Sequence, residues 1–205
     1  MDHTKVETIK KWLGTGAINI FGLPFAGKDT HGHFMAELLD ASLLGGGDIL
    51  RNSEIPAHIK AIMSEGSLIP TSDYIAIVLP YLSSEQYQNT PLVLSSVGRW
   101  HGEEDGVMQA AAASNHPVKA VIYLHITIKE AYDRFRDSQQ LGDRDNRQDD
   151  SKEKLITRFS EFDDKTLPVI EYYRQQGLLI DIDGRPPVDE VRRAIIDALY
   201  EFASR

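Results

Sequence analysis

The amino-acid sequence predicts an α/β fold organised as one domain around a parallel sheet. Short apolar runs that suit buried strands alternate along the chain with longer segments whose apolar residues fall at helical spacing. This alternation is typical of parallel strands joined by right-handed helical crossovers. The 205 residues, of which 41% are hydrophobic and 26% charged, are enough to bury a core without disulfides or structural metal.

The first predicted elements run from residue 1 to residue 39. The leading segment has apolar residues at helical spacing, Val6, Ile9, Trp12 and Leu13, and is expected to form a helix that ends at Gly14–Gly16 and packs outside the core. Ala17–Phe21 is a predicted buried strand, which leads through a glycine-containing turn into a helix over Thr30–Leu39.

Three more strands are predicted at Pro91–Ser95, Val118–His125 and Leu178–Ile182, each followed by a segment of helical composition. Helical stretches over Asp48–Glu65 and Ser72–Gln86 precede the first of these strands. Together they are longer than a minimal crossover between parallel strands, so a small helical insert is expected here.

Two features interrupt the pattern in the C-terminal half. Ser138–Asp150 is almost wholly polar and is expected to be an exposed loop that faces solvent or a charged ligand. Pro168 lies inside a helical pattern, where its missing N–H predicts a kink or a break.

Composition excludes several classes of protein. The absence of cysteine excludes a disulfide framework, a thiolate metal site and a cysteine nucleophile, and it fits a reducing compartment. The 22 lysines and arginines are outnumbered by 31 acidic residues, and the net charge of −9 argues against a protein that coats nucleic acids. The apolar runs are too short to cross a bilayer, and the first residues offer no signal core. We therefore expect a cytoplasmic protein with no nucleic-acid or membrane partner.

Gly22–Lys28 has the composition and the context of a phosphate-binding loop. It follows a strand and opens a helix, its glycines permit close approach of the backbone, and Lys28 adds a mobile charge. A chance glycine–lysine turn is the alternative, although both the spacing and the flanking elements fit the loop. Asp29 stands directly after the lysine in place of the usual Ser or Thr, and the hydroxyl comes one place later at Thr30.

Gly22–Thr30 resembles the phosphate loop of adenylate kinases and related nucleoside monophosphate kinases, whose pattern is G-x-P-G-x-G-K-G-T. Further segments resemble motifs of this family, in the same order, between Ala17 and Leu199. These segments are Gly47–Arg51, Glu65–Pro70, Ser95–Arg99, Asp133–Arg134, Arg147–Asp150, Arg158, Pro168–Tyr173 and Ile182–Gly184. Together they make a specific resemblance, although most of them would be weak alone.

The resemblance implies a P-loop NTPase-type three-layer sandwich whose five-stranded parallel sheet has the strand order 2-3-1-4-5. It implies one domain over residues 1–205, with an acceptor-binding insert near residues 47–76 and a short lid, without zinc ligands, near residues 138–150. The implied activity is transfer of the γ-phosphoryl group of MgATP to a nucleoside monophosphate, with ATP and the monophosphate as partners. A monomer is expected.

Positive charge around the moving phosphate suits this reaction, and guanidinium groups bind phosphate through two parallel hydrogen bonds. The resemblance implies catalytic roles for Lys28, Arg99, Arg134, Arg147 and Arg158. It implies ATP contacts at Gly22, Pro24, Ala26, Gly27, Lys28, Asp29, Thr30 and Arg134. It implies acceptor contacts at Gly46, Arg51, Ile69, Gly98, Arg99 and Glu103, and lid carboxylates at Asp149 and Asp150. Taken singly, any of these arginines is as well explained as a solvated surface charge.

The chain departs from the family pattern around the phosphate loop. Phe25 and Asp29 stand where the family has glycine, and Ser138 replaces an arginine of the transfer ring. Ser95 stands where the family carries the aspartate that holds hydrated magnesium. Asp29 is therefore a candidate Mg²⁺ ligand that partly replaces this carboxylate, the alternative being that it only caps the helix.

The acceptor pocket is altered as well. Gly46 stands for a threonine and Glu103 for a glutamine that contact adenine in the family. Because an ionised carboxylate only accepts hydrogen bonds, we expect this pocket to discriminate poorly for adenine or to prefer a base that presents donors. His31 and His33 have no third metal ligand at suitable spacing, and they are expected to be packing or surface positions.

Two hypotheses about function follow. The first is a nucleoside monophosphate kinase that works by direct in-line transfer. The second is a nucleotide-binding regulator, a degenerate kinase that keeps the fold without efficient chemistry. The retained arginines favour the enzyme, whereas the changes at Asp29, Ser95 and Ser138 favour the regulator.

Overall fold

The computed structural model describes residues 2–141 and 151–205. Its strands are β1 (Ala17–Gly22), β2 (Ser42–Gly45), β3 (Leu92–Ser95), β4 (Val118–His125) and β5 (Leu179–Asp183). They form one parallel sheet in the order β2-β3-β1-β4-β5. The predicted α/β fold class and strand order are confirmed.

Helices surround this sheet. They are α1 (His3–Leu13), α2 (Lys28–Leu38), α3 (Gly46–Asn52), α4 (Ala57–Ser64), α5 (Thr71–Val78), α6 (Glu104–Ala113), α7 (Ile128–Leu141), α8 (Lys152–Glu161), α9 (Leu167–Gln175) and α10 (Val188–Ala203). Short 3-10 segments occupy Leu79–Ser83 and Glu85–Tyr87, and a π-helical turn occupies Phe162–Thr166. Within the described ranges, no helix combines the length and the apolar character that a membrane span requires.

Strand β1 lies at the centre of the sheet, and all of its residues are buried. Burial on both faces explains its run of apolar side chains, in which Asn19 is the polar exception. The Asn19 side chain donates to the carbonyl oxygen of Val97 (2.8 Å) and accepts from the backbone N–H of the same residue (3.2 Å). Ser96 Oγ also donates to the carbonyl oxygen of Ile20 (3.2 Å). These bonds fix the path of the chain where it leaves β3.

The N-terminal helix is confirmed, but its expected position outside the core is wrong. Ile9 and Leu13 of α1 are fully buried and belong to the hydrophobic core, because α1 packs against α10 from the other end of the chain. The local sequence pattern does not predict β2, since this strand has only four residues and begins with Ser42. Only the strand order implied by the resemblance requires it.

Prolines mark the places where predicted helical stretches divide. Pro56 precedes α4 and separates it from α3, and Pro80 lies in the first turn of the 3-10 segment that follows α5. Pro168 lies in the first turn of α9, directly after the π-helical turn, which confirms an irregularity here. In each case the proline ring and its missing N–H favour a new first turn over a continuing helix.

Helix α7 extends farther than predicted. Ser138 lies inside α7 and not in a loop, and its hydroxyl donates to the carbonyl oxygen of Phe135 (2.8 Å). The prediction that an exposed loop begins at Ser138 is therefore wrong. Arg147, Asp149 and Asp150 lie outside the described residues.

Asn19→Ala is expected to lower the free energy of unfolding by about 1–3 kcal/mol, because the N–H and C=O of Val97 lose their partner inside the core. Chemical denaturation followed by circular dichroism measures this change. The matched control is Asn52→Ala at an exposed position of α3, which should change stability by less than about 0.5 kcal/mol. Equal changes in the two variants would contradict the assigned role of Asn19.

Candidate active site

A cleft of about 1050 Å³ lies along the carboxyl edge of the sheet. Gly22, Gly45 and Ser95 line it at the ends of β1, β2 and β3, and Gly184 lines it directly after β5. In parallel α/β sheets, ligands bind outside the carboxyl ends of the strands. This cleft is therefore the candidate active site.

The loop between β1 and α2 is shaped by close backbone contacts. A Cβ on Gly22 would lie 2.8 Å from the carbonyl oxygen of Leu124, so only glycine fits there. Gly27 precedes α2 with a φ of 96°, a left-handed conformation that glycine adopts without strain. The Lys28 ammonium donates to the carbonyl oxygens of Gly22 and Leu23, both at 2.8 Å. The start of α2 and this ammonium line the cleft together, which is an arrangement suited to phosphate.

Arg134 of α7 lies against this loop. Its guanidinium donates to the carbonyl oxygens of Phe25 (3.3 Å) and Ala26 (3.4 Å), and to that of Gly184 (2.6 Å). Phe25 has a φ of 67°, which is uncommon for a bulky residue. Its ring packs edge-on against Phe135, with the ring centroids 5.5 Å apart. Aromatic packing and guanidinium bonds thus attach the loop to α7.

Three more arginines line the cleft from separate elements: Arg51 from α3, Arg99 from the segment after β3, and Arg158 from α8. Burial lowers the pKa of Arg99, and the positive charges of Arg158 and Arg51 lower this pKa further. Neighbouring Tyr74 and Glu103 oppose the shift. This concentration of guanidinium groups suits a ligand with several negative charges.

At the end of the cleft beside α5, Tyr74 covers two glycines. Its Oη accepts a hydrogen bond from the backbone N–H of Gly98 (3.0 Å). A Cβ on Gly46 would lie 2.6 Å from the same oxygen, so Tyr74 occupies the space that Gly46 leaves. Glu103 is buried here too, and its Oε2 accepts from the backbone N–H of Trp100 (3.1 Å). Burial raises the pKa of Glu103.

Asp29 and Ser95 meet in the cleft, where Ser95 Oγ donates to Asp29 Oδ1 at 3.4 Å. In the part of the chain that the structure describes, no group of three or more His, Cys, Asp or Glu residues is placed to hold a metal ion. Two oxygen-bearing side chains suit magnesium, which keeps several waters and binds through few protein oxygens together with phosphate.

Most of the predicted binding residues line this cleft. They are Gly22, Pro24, Gly27, Lys28, Asp29, Thr30, Arg51, Ile69, Arg99, Glu103, Arg134 and Arg158. Ala26, Gly46 and Gly98 are buried and do not line it. His31 is buried, and burial lowers its pKa to about 4, whereas His33 is exposed, as their predicted packing and surface positions require.

Sequence reasoning missed Tyr74, Glu161 and Arg185, which also line the cleft. Glu161 accepts from the backbone N–H of Leu68 (3.1 Å) and so connects α8 to the segment before α5. No local motif marks these residues. For Tyr74, the one available signal is the missing side chain at Gly46, the position that it covers.

Comparisons with known proteins show which family this chain resembles. The adenylate kinase family model matches residues 20–178 of the chain. Adenylate kinases of Xylella fastidiosa and Chelativorans sp. are 30% and 31% identical, over 88% and 86% of this chain and 97% and 94% of those proteins. An adenylate kinase of Dehalococcoides mccartyi is 27% identical over 87% of this chain and 95% of that protein.

A solved structure of a gluconokinase from Sinorhizobium meliloti 1021 matches with a TM-score of 0.63 over 93% of this chain and 94% of that one. At 20% identity this likeness shows the shared fold alone. The family model and the relatives cover most of the chain and confirm the resemblance found in its motifs. The chain therefore belongs to the adenylate kinase family, and it is a phosphotransferase of the nucleoside monophosphate kinase type.

Proposed function

We propose that this protein transfers the γ-phosphoryl group of MgATP to a nucleoside monophosphate, which yields ADP and a nucleoside diphosphate. The observation that carries the proposal is the convergence of the phosphate loop and of Arg51, Arg99 and Arg158 on one cleft. Two phosphate-bearing ligands that react in one cleft require positive charge around both. The transferred group requires charge stabilisation and positioning more than covalent catalysis.

ATP binds at the phosphate-loop end in this proposal. The start of α2 and the Lys28 ammonium hold its phosphates, with the loop backbone from Gly22 to Thr30 around them. Arg134 contacts the same nucleotide beside Gly184, because its bonds to the loop and to this carbonyl hold it at that end of the cleft.

The monophosphate binds at the end beside α5. Arg51 and Arg99 hold its phosphate, and Ile69 and Glu103 lie towards its base. Arg51 also donates to Asp48 Oδ1 at 2.6 Å, which restricts the guanidinium before any ligand arrives. Preorganised donors of this kind stabilise phosphate charge with little rearrangement.

During transfer, an oxygen of the acceptor phosphate forms a bond to the γ-phosphorus of ATP. The bond from this phosphorus to the bridging oxygen breaks, and its electron pair stays on ADP. We assign stabilisation of the moving group to Lys28, Arg99, Arg134 and Arg158. Arg147 and the lid carboxylates Asp149 and Asp150 keep their proposed roles, although they lie outside the described residues.

Magnesium enters with ATP, and the oxygen atoms of Asp29 and Ser95 fit it. Their separation of 3.4 Å places a carboxylate and a hydroxyl at one point of the cleft, and both are ligands of the hard type that magnesium prefers. Bound there, the ion would neutralise phosphate charge. Asp29 also lies in the first turn of α2, where the helix dipole stabilises a negative charge.

A regulator without efficient chemistry is the second candidate function. Ser138 favours it, because a hydroxyl bonded within its own helix supplies no positive charge where the family has an arginine. A coupled assay with MgATP and a panel of nucleoside monophosphates separates the two candidates. Product with at least one acceptor supports the kinase, whereas no product with any acceptor leaves the regulator.

Lys28→Ala is expected to lower kcat by about 10²-fold or more, because the loop loses the ammonium that stabilises charge in the transition state. The same coupled assay measures the loss, and thermal unfolding should show an intact fold. Lys11→Ala, at an exposed position of α1, is the control and should retain full activity. Equal activity of the two variants would mean that this loop is not the donor site.

Asp29→Gly is expected to raise the magnesium concentration needed for half-maximal activity by about tenfold. It should also tighten binding of metal-free ADP, because a carboxylate near the phosphates is removed. Magnesium titrations and calorimetry measure the two effects.

Adding Ser95→Asp to this variant returns a carboxylate to the neighbouring position. The magnesium concentration needed for half-maximal activity should then fall back towards the wild-type value. Superimposable magnesium titrations of wild type and Asp29→Gly would leave Asp29 a structural role at the start of α2 only.

Glu103→Gln is expected to shift acceptor preference towards adenine by about tenfold in kcat/KM, because an amide donates and accepts where the carboxylate only accepts. The shift is measured as the ratio of kcat/KM for AMP to that for GMP. Glu201→Gln, at an exposed position of α10, is the control. An unchanged ratio would place Glu103 away from the base.

A further inference from the structure

The end of the cleft beside α5 contains a hydroxyl group that none of the roles assigned above uses. Tyr74 lines the cleft from α5 although only 6% of it is exposed. A phenol has one donor and two acceptor positions. Within the described part of the chain, the bond from the Gly98 N–H is the only hydrogen bond that Tyr74 Oη makes. Its O–H is therefore available to a ligand.

The protonated phenol is the form present at neutral pH. Burial raises the pKa of Tyr74, and the nearby charge of Glu103 raises it further. The oxygen accepts from Gly98 and keeps its proton, so the group can donate its O–H to an acceptor in the cleft.

Tyr74 reaches this position because Gly46 has no side chain. The 2.6 Å between Tyr74 Oη and a Cβ on Gly46 excludes even alanine unless the tyrosine moves. The two positions are therefore coupled, and the hydroxyl at this end of the cleft comes from α5 and not from the start of α3.

Glu103 places a carboxylate in the same part of the cleft, near enough for its charge to act on Tyr74. Gly98 lies between them, with its N–H on Tyr74 Oη and a Cβ position 3.7 Å from the Cβ of Glu103. A fixed donor beside a fixed acceptor distinguishes bases by the order of their groups. Guanine presents the O6 acceptor beside the N1–H and N2–H donors, whereas adenine presents a donor at N6 beside the N1 acceptor.

We propose that Tyr74 is a specificity-determining residue that donates its O–H to O6 of a guanine acceptor nucleotide, while Glu103 accepts from the N1–H edge of the same base. The inference rests on the proposed function, since it takes a nucleoside monophosphate as the acceptor. In the same orientation, adenine would direct its N6 amino group at the Tyr74 O–H and its N1 lone pair at the carboxylate, so neither protein group would gain a hydrogen bond from the base.

Calorimetric binding of GMP and AMP to wild type, Tyr74→Phe and the control Tyr81→Phe tests the proposal without requiring transfer. Tyr81 is outside the cleft lining and bonds to Ser53 Oγ at 2.8 Å. Wild type and Tyr81→Phe should bind GMP at least about tenfold more tightly than AMP. In Tyr74→Phe this ratio should fall about fivefold, the effect of one neutral hydrogen bond.

An AMP preference or no preference in wild type would overturn the proposal. So would equal weakening of both nucleotides in Tyr74→Phe, because that result shows a tyrosine that only holds the segment at Gly98. Absence of kinase product with every acceptor would count against the proposed function. The ratio of GMP affinity to AMP affinity would still test whether Tyr74 and Glu103 recognise the base.

A pair of exchanges tests the coupling of the two positions. Gly46→Thr alone should weaken GMP binding, because its side chain collides with Tyr74 Oη. Combining it with Tyr74→Val removes the collision and returns a hydroxyl from the α3 side, so binding should recover towards wild type. Thermal unfolding identifies any variant that fails to fold. Wild-type binding by Gly46→Thr alone would show that Tyr74 does not control this space.

Discussion

Burial of Arg99 close to two other guanidinium groups is the constraint on which the cleft depends. Arg51, Arg99 and Arg158 come from three separate elements, and both burial and the other two charges lower the pKa of Arg99. Holding such groups together costs free energy that rigid attachments must offset. The side-chain bonds of Asn19 to Val97 supply one attachment, since they fix the chain two residues before Arg99 inside the core. The core of the sheet therefore preorganises the charge that the proposed phosphate ligands would neutralise.

Several departures from the family pattern are neighbours in space. Asp29 and Ser95 are 66 positions apart in the sequence, but their side chains share a hydrogen bond. Ser95 lacks the carboxylate that the family carries at this position, and the neighbouring Asp29 has one. Tyr74 lies against Gly46 in the same way, and one side chain fills the space that the other lacks. Taken singly, each change suggests a damaged site. Taken in pairs, the changes keep a carboxylate and a hydroxyl within the cleft and move them to different elements.

Local patterns explain what the sequence could predict. The phosphate loop and four of the strands have motifs or apolar runs of their own, and family motif order adds the strand order. Strand β2 is too short for such a pattern, and the burial of Ile9 and Leu13 depends on α10 at the far end of the chain. No local pattern marks Tyr74 either, because its contact with Gly98 spans 24 positions. Residues defined by long-range contacts leave no local pattern in a single sequence.

The loop between β1 and α2 tolerates a phenylalanine, Phe25, where the family pattern has glycine. A bulky residue in the left-handed region costs about 1–2 kcal/mol relative to glycine, and Phe25 adopts a φ of 67°. Edge-on packing of its ring against Phe135 returns about 0.5–1.5 kcal/mol beyond the area buried, which is similar in size. Arg134 adds a bond to the carbonyl oxygen of the same residue. Phe135 and Arg134 both lie on α7, so the conformation of the loop and the position of this helix are linked. A glycine in the loop would remove the strain and the aromatic contact together, and it would leave α7 held to the loop by Arg134 and fewer apolar contacts.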